Sequence, residues 1–241
     1  MLRIKNANIG HDKTLYSLSE LEIKQGEVIA VFGENGCGKS TLLQSIIGFI
    51  PFLDGEVENA NNQQLIYLPA KPIVHPQLSV EQAILLGLSN QKKWWQNFSV
   101  EQMQMVDVQI ENYQIQDLKH KLVNELSDGQ QQKVWMAQAA LAPADFLLLD
   151  EPSGHLDPNQ SAWIFVNMYR WAKQSNKAVV FASHKLDLSL QIADKVLYIK
   201  KGKVELYDAK SPKLIELLTN DFSNKYLDYS LTKPNQVLKL F

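Results

Sequence analysis

Apolar residues along this chain fall into two rhythms. Four short runs have strand length and few polar interruptions: Glu27–Phe32 (EVIAVF), Phe146–Asp150 (FLLLD), Ala178–Ser183 (AVVFAS) and Lys195–Lys200 (KVLYIK). Other stretches carry apolar residues at helical spacing. Ser40–Ile50 does so through Leu42, Leu43, Ile46, Ile47 and Ile50, and Ser161–Ser175 and Lys185–Asp194 alternate with the later strands. Strands alternating with helices predict a parallel α/β core. A region from about Pro72 to Ala142 reads differently. Three Ser-x-x-Gln capping boxes punctuate it, Ser79 with Gln82, Ser99 with Gln102 and Ser127 with Gln130, and each precedes a stretch able to form a helix. The pattern predicts a helical region inserted into the α/β core.

Between the first strand and the first helix lies GENGCGKST, comprising Gly33, Glu34, Asn35, Gly36, Cys37, Gly38, Lys39, Ser40 and Thr41. Gly33, Gly38, Lys39 and Ser40 fit G-x-x-x-x-G-K-[ST], and strand–loop–helix is the context that motif requires. Glycines let backbone N–H groups crowd around an anion, and the helix turns its positive dipole end to the same point. Lys39 is expected to reach the β- and γ-phosphates of a nucleotide, and the Ser40 hydroxyl to ligate Mg²⁺. An ordinary Gly-rich turn is the alternative. The fixed positions arise by chance in about one chain of this length in a hundred, before the flanks are considered.

Composition narrows the partners. Of 241 residues, 45 % are hydrophobic, enough for one or two compact cores. Twenty-four basic against 26 acidic residues give a net charge of −2, which argues against a nucleic-acid partner held by a broad basic surface. With no signal peptide pattern and no apolar run of 18 residues, the chain is expected not to span a membrane, though it can dock on a protein that does. A single cysteine, Cys37, excludes an internal disulfide and suits a reducing compartment.

A second anion site begins at LSDGQ (Leu126–Gln130), where Ser127 and Gly129 open a predicted helix. Two such sites far apart in one small chain suit a head-to-tail pair, each copy lending its second site to the other's nucleotide. Taken alone, later residues read blandly. The Asp150–Glu151 pair could be a plain strand end, His184 a turn residue, and Asp157–Pro158 a helix cap with proline at the first helical position.

Together, these segments resemble the nucleotide-binding subunit of an ABC transporter over nearly the whole chain. Gly33–Thr41 matches the family's Walker A loop, Leu126–Gln130 its signature, FLLLDEP its Walker B segment, SGHLD its D-loop and His184 its switch histidine. The separations fit as well: 88 residues from Lys39 to Ser127, 23 from Ser127 to Asp150 and 33 from Glu151 to His184. The resemblance implies a P-loop NTPase (RecA-like) core with an inserted helical subdomain and an antiparallel β subdomain. One domain would cover residues 1–241, with residues 1–71 and 143–241 as core and 72–142 as the helical subdomain. It implies ATP and Mg²⁺ as cofactors, with Ser40 and Asp150 on the metal. Glu151 would polarise the attacking water, and His184 would contact the γ-phosphate. Ser127, Asp128, Gly129 and Gln130 would close over the nucleotide of the opposite copy, and Asp157 would lie at the seam.

Three positions depart from the family pattern. Ala70, in LIYLPAKP, stands where the family writes glutamine, beside Lys71; alanine can neither approach Mg²⁺ nor orient water. Ile9 stands near the place of the aromatic ring that stacks on adenine, leaving His11 or Tyr16 as substitutes and His11 as a surface-turn candidate. Asp128 replaces a glycine of the signature, and an acid there favours the helix if it faces solvent.

Within the family, SVEQAILLGL, LSDGQQQK and LDLSLQIADKVLYIKKGKVELYD look most like the ATPases of iron–siderophore, haem or cobalamin importers. The short segment between the loop and IYLPAKP also resembles zinc and manganese importers. The implied partners are a second copy of the chain, two integral-membrane permease subunits and, indirectly, a substrate-binding protein. The implied location is the cytoplasmic face of the cell membrane. QKKWWQNF could face the membrane or simply pack within a helix. A soluble ABC ATPase of iron–sulfur cluster assembly is the rival from another class, and a regulatory module without turnover is suggested only by Ala70.

Overall fold

The computed structural model describes residues 1–59, 64–70, 77–91, 98–154 and 156–222. Lys71, the start of the helical region at Pro72, the Trp94–Trp95 pair and His155 lie outside the described residues.

Nine described strands share one sheet: β1 (Leu2–Gly10), β2 (Thr14–Ile23), β3 (Val28–Gly33), β4 (Asp54–Asn59), β5 (Leu65–Leu68), β6 (Phe146–Asp150), β7 (Ala178–Ala182), β8 (Lys195–Lys200) and β9 (Lys203–Asp208). Their order is β4-β1-β2-β9-β8-β3-β7-β6-β5. The four runs read from the sequence are neighbours in its parallel half, where β3 lies between β8 and β7 and β6 lies between β7 and β5. In the other half β1 pairs antiparallel with β2 and β4, and β8 with β9, while β2 meets β9 in parallel.

Strand alternation explains the unbroken apolar runs. Val28, Ala30 and Phe32 of β3 face one core, and Ile29 and Val31 face the other. A strand covered on both faces has no solvent side on which to place a polar residue. The second core joins the antiparallel strands to Leu42, Leu43 and Ile46 of helix α1 (Lys39–Ile47). The first lies under helices α2 (Val80–Leu85), α3 (Val100–Asn112), α4 (Asp128–Leu141) and α5 (Pro158–Ser175). Two further helices follow, α6 (Leu186–Ile192) and α7 (Pro212–Phe222).

All three capping boxes form: the hydroxyl oxygens of Ser79, Ser99 and Ser127 accept from the backbone N–H of Gln82, Gln102 and Gln130, whose side chains accept in return. One boundary differs from the apolar pattern. The spacing carries α1 to Ile50, yet the helix ends at Ile47, because Gly48 takes a left-handed conformation (φ 87°) and its N–H bonds back to the last carbonyls.

Candidate nucleotide-binding site

β3, β6 and β7 are parallel, so their C-terminal ends open on the same edge of the sheet. The loop Gly33–Gly38 leaves β3 there and runs straight into α1. Unlike the helices capped by serine or aspartate, α1 begins at Gly38 (φ 98°) with no side-chain cap. Its positive end is therefore not covered by a side chain of the protein. Gly36 also has positive φ, 76°, and space beyond it: a Cβ there would meet nothing within 4 Å. Gly38 is closely packed instead, since a Cβ would lie 3.0 Å from Tyr16 Cε1 and 3.1 Å from Leu15 Cδ1.

Lys39 is buried, and its ammonium donates to the carbonyls of Gly33 (3.0 Å) and Glu34 (3.2 Å), folding the loop around a fixed positive charge. Ser40 is exposed at the start of α1 and Thr41 is half-buried, while Glu34, Asn35 and Gly36 face solvent. Cys37 packs inward: a Cβ on Gly33 would lie 2.5 Å from its Sγ. Burial holds the thiol above its ordinary pKa, although Lys39 pulls the other way.

Across this loop stand the acids. Asp150 ends β6 and is almost buried. Tyr67 of β5 donates its hydroxyl to Asp150 Oδ2 (3.2 Å) and accepts from Gln44 Nε2 of α1 (3.3 Å). Glu151 follows in a left-handed conformation, φ 46°. For a residue with a Cβ this costs about 1–3 kcal/mol. Its N–H bonds to the Ala182 carbonyl (3.0 Å), so the end of β7 holds the turn. Burial pushes the Glu151 carboxyl up to about 7, against the pull of Lys39. Oε1 lies 3.1 Å from His184 Nε2 without the alignment of a hydrogen bond and has no donor of its own. Burial and the charge of Lys39 hold His184 below its ordinary pKa, which favours the neutral ring. A near-neutral carboxylate with an unsatisfied oxygen, aimed at a lysine-bearing loop, can take a proton from water.

The site's own features fit a nucleoside triphosphate with a hard cation. The uncapped helix end, the open Gly36 and the buried Lys39 suit phosphates. Ser40 and Asp150 offer oxygen donors, and no group of three or more His, Cys, Asp or Glu able to hold a metal occurs among the described residues. That donor set suits Mg²⁺, which shares few protein ligands with phosphates and water.

The signature turn is elsewhere. Ser127 and Asp128 are exposed at the start of α4, and Gly129 and Gln130 are half-buried. Ser127 Oγ accepts from Gln130 N–H (3.4 Å), so the cap engages its lone pair and leaves its O–H to donate elsewhere. Asp128 faces solvent in the first turn of the helix. Asp157 caps α5, accepting from the N–H groups of Asn159 (2.9 Å) and Gln160 (3.0 Å). Within one chain the structure thus brings Lys39, Asp150, Glu151 and His184 together and leaves Ser127–Gln130 bonded within their own helix.

Tyr16 does not supply an exposed ring. It is 2 % exposed, and its hydroxyl donates to the Gly38 carbonyl (2.7 Å), so it supports the loop from below. His11 sits in the exposed turn between β1 and β2. Ala70 is exposed just beyond β5. Tyr16, Tyr67 and Lys185 all make contacts here that the motifs do not announce. Each is apolar-patterned or unremarkable in sequence, and its partner lies more than twenty residues away.

The chain matches the ABC transporter family over residues 17–154. It is 30 % identical, over 99 % of its length and 69 % of the relative's, to the Fe(3+) ions import ATP-binding protein FbpC 2 of Haemophilus influenzae. It is 32 % identical, over 82 % of its length and 76 % of the relative's, to the zinc import ATP-binding protein ZnuC of a Ruegeria species. A solved ABC transporter, described as metal-chelate type and inward-facing, superposes with a TM-score of 0.83 at 25 % identity. The match covers 92 % of this chain and 88 % of that one.

Proposed function

This chain belongs to the ABC transporter family and is an ATPase, and from that premise we propose that two copies of it drive import of a metal ion or metal chelate through membrane subunits. One observation carries the two-copy reading. Lys39, Asp150, Glu151 and His184 lie together at one edge of the sheet, while the Ser127–Gln130 turn begins α4 with Ser127 and Asp128 exposed. A second copy facing head-to-tail completes the site with its own signature turn.

In this reading Lys39 turns from the Gly33 and Glu34 carbonyls to the β- and γ-phosphates. Ser40 and Asp150 would hold Mg²⁺, which would supply positive charge beside the phosphates. Tyr67 occupies Asp150 Oδ2, so Oδ1 would be the oxygen offered to the metal. Glu151 accepts the proton of the attacking water, and His184 donates to the γ-phosphate. Ala70 contributes no side chain to this step, so turnover rests on Glu151 and His184. Ser127 donates its free O–H across the seam, where Asp157 also lies. Closure draws the helical regions of the two copies together, and loss of phosphate separates them.

The membrane subunits dock beside Ala70. β5 is the edge strand of the parallel half of the sheet. A groove next to it is lined by Ile66, Leu68, Leu86, Gln138 and Ala142, with Leu86 exposed at its rim. Among the described residues no helix is long and apolar enough to cross a membrane. Membership of the ABC transporter family supports peripheral attachment at the cytoplasmic face. The named relatives support a metal cargo, and the patterns shared with siderophore, haem and cobalamin importers favour a chelate over a bare ion.

The test is direct. With ATP and Mg²⁺, Glu151→Gln should double its mass in light scattering and the wild type should release phosphate. Glu151→Gln that stays monomeric at saturating ATP would remove the composite-site reading; equal phosphate release from both proteins would remove Glu151 from its role.

A further inference from the structure

His184 and Lys185 are consecutive, yet they face different parts of the molecule. His184 lies against Glu151. Lys185 reaches the other way, to the start of α5. Its ammonium donates to the Leu156 carbonyl (3.2 Å) and to Ser161 Oγ, and Ser161 Oγ also bonds the Leu156 carbonyl (3.3 Å). Ser161 is fully buried. The turn itself is pinned, since Lys185 N–H donates to Ser183 Oγ (3.1 Å).

The acceptors are the informative part. Neither is charged, although Asp157, Asp187 and Glu151 are near enough to influence the lysine. A half-buried ammonium held by a carbonyl and a hydroxyl gives up hydration without a directly bonded carboxylate. What it gains is position. Leu156 immediately precedes Asp157, the cap of α5, and Asp157 Oδ1 holds the N–H of Gln160 (3.0 Å). The Gln160 side chain then lies on the signature turn: a Cβ on Gly129 would come within 1.9 Å of Gln160 Oε1. A continuous path therefore runs from Glu151 and His184 through Lys185, Leu156 and Gln160 to Gly129.

We propose that Lys185 is a positioning residue that makes one protomer's switch segment and its own signature turn move as one body. This goes beyond the composite-site reading and rests on it. In a head-to-tail pair, the two ends of this path serve different nucleotides. Filling of a protomer's own loop thereby sets the signature turn it offers to its partner, and ATP at one site favours closure at both. Lysine suits the task because its long stem reaches across the turn while its three donors hold two acceptors at once.

The experiment uses the Glu151→Gln chain, with dimer formation followed by light scattering across ATP concentrations and ADP affinity measured on the monomer as control. Adding Lys185→Met should shift the dimerisation midpoint to about tenfold higher ATP, within the range of coupling between sites, and flatten its steepness. ADP affinity should stay within about twofold, because the phosphate loop does not touch Lys185. Lys185→Arg, which keeps a charged donor, should restore the midpoint. Gln160→Ala, at an exposed position, should shift it in the same direction without affecting folding. An unmoved midpoint in Lys185→Met, or one that moves together with ADP affinity, overturns the proposal. Absence of dimer in Glu151→Gln alone instead overturns the composite-site reading beneath it.

Discussion

At the scale of single residues, Glu151 carries an electrostatic cost of burial. Its carboxyl has an ordinary value near 4.5 in the unfolded chain and about 7 in the folded one. An acid whose folded value is raised loses stability as pH climbs from the unfolded value to the folded one. The penalty is absent well below pH 4.5 and complete well above pH 7, at about 3–4 kcal/mol. Glu151→Gln removes the charge and keeps the left-handed backbone. Without nucleotide or Mg²⁺, it should therefore raise the unfolding temperature clearly at pH 8 and hardly at pH 5. Equal gains at both values would mean that the carboxylate is not the source of the cost. The sequence marks Glu151 through the resemblance to the ABC family, whose motif order it fits. It does not mark Tyr16 or Tyr67, whose hydroxyls find Gly38 and Asp150 only after the strands pair.

Helices and strands were legible where their signals are local. A Ser-x-x-Gln box needs only four residues to form, and all three boxes read from the sequence close in the structure. Ser99→Ala deletes one of these closures at the start of α3. It should cost about 1 kcal/mol in urea unfolding, with nucleotide affinity unchanged, because α3 makes none of the contacts around Lys39. The continuous runs of β3, β6, β7 and β8 were legible too, since strands covered on both faces need apolar residues throughout. Strands β1, β2, β4 and β9 carry more polar positions, and no run of residues announced them. Their positions depend on pairings between distant segments, such as Leu2 with both Ile23 and Asn59. The end of α1 was also misleading in pattern, because Ile50 continues the apolar spacing beyond a glycine that stops the helix.

On the scale of the whole molecule, the division between a phosphate loop and a separate signature turn makes association testable without chemistry. Ser127→Arg places a bulky cation at the exposed start of α4, on a different element from the carbonyls that hold Lys39. In the Glu151→Gln background, Ser127→Arg should abolish ATP-driven dimerisation in light scattering, while ADP binding to the monomer stays within about twofold. Loss of ADP binding would mean that the turn serves the nucleotide of its own chain. Sequence alone determined that a glycine loop joins a buried strand to α1, that Asp150 ends another buried strand and that three capped helices lie between them, because each depends on neighbours in the chain. Only the tertiary structure decided that Tyr16 supports the loop instead of presenting its ring, that Tyr67 bonds Asp150, and that Lys185 joins the switch turn to α5. Those contacts arise where packed elements bring distant residues within hydrogen-bond reach, and nothing in their local pattern encodes which partner they meet.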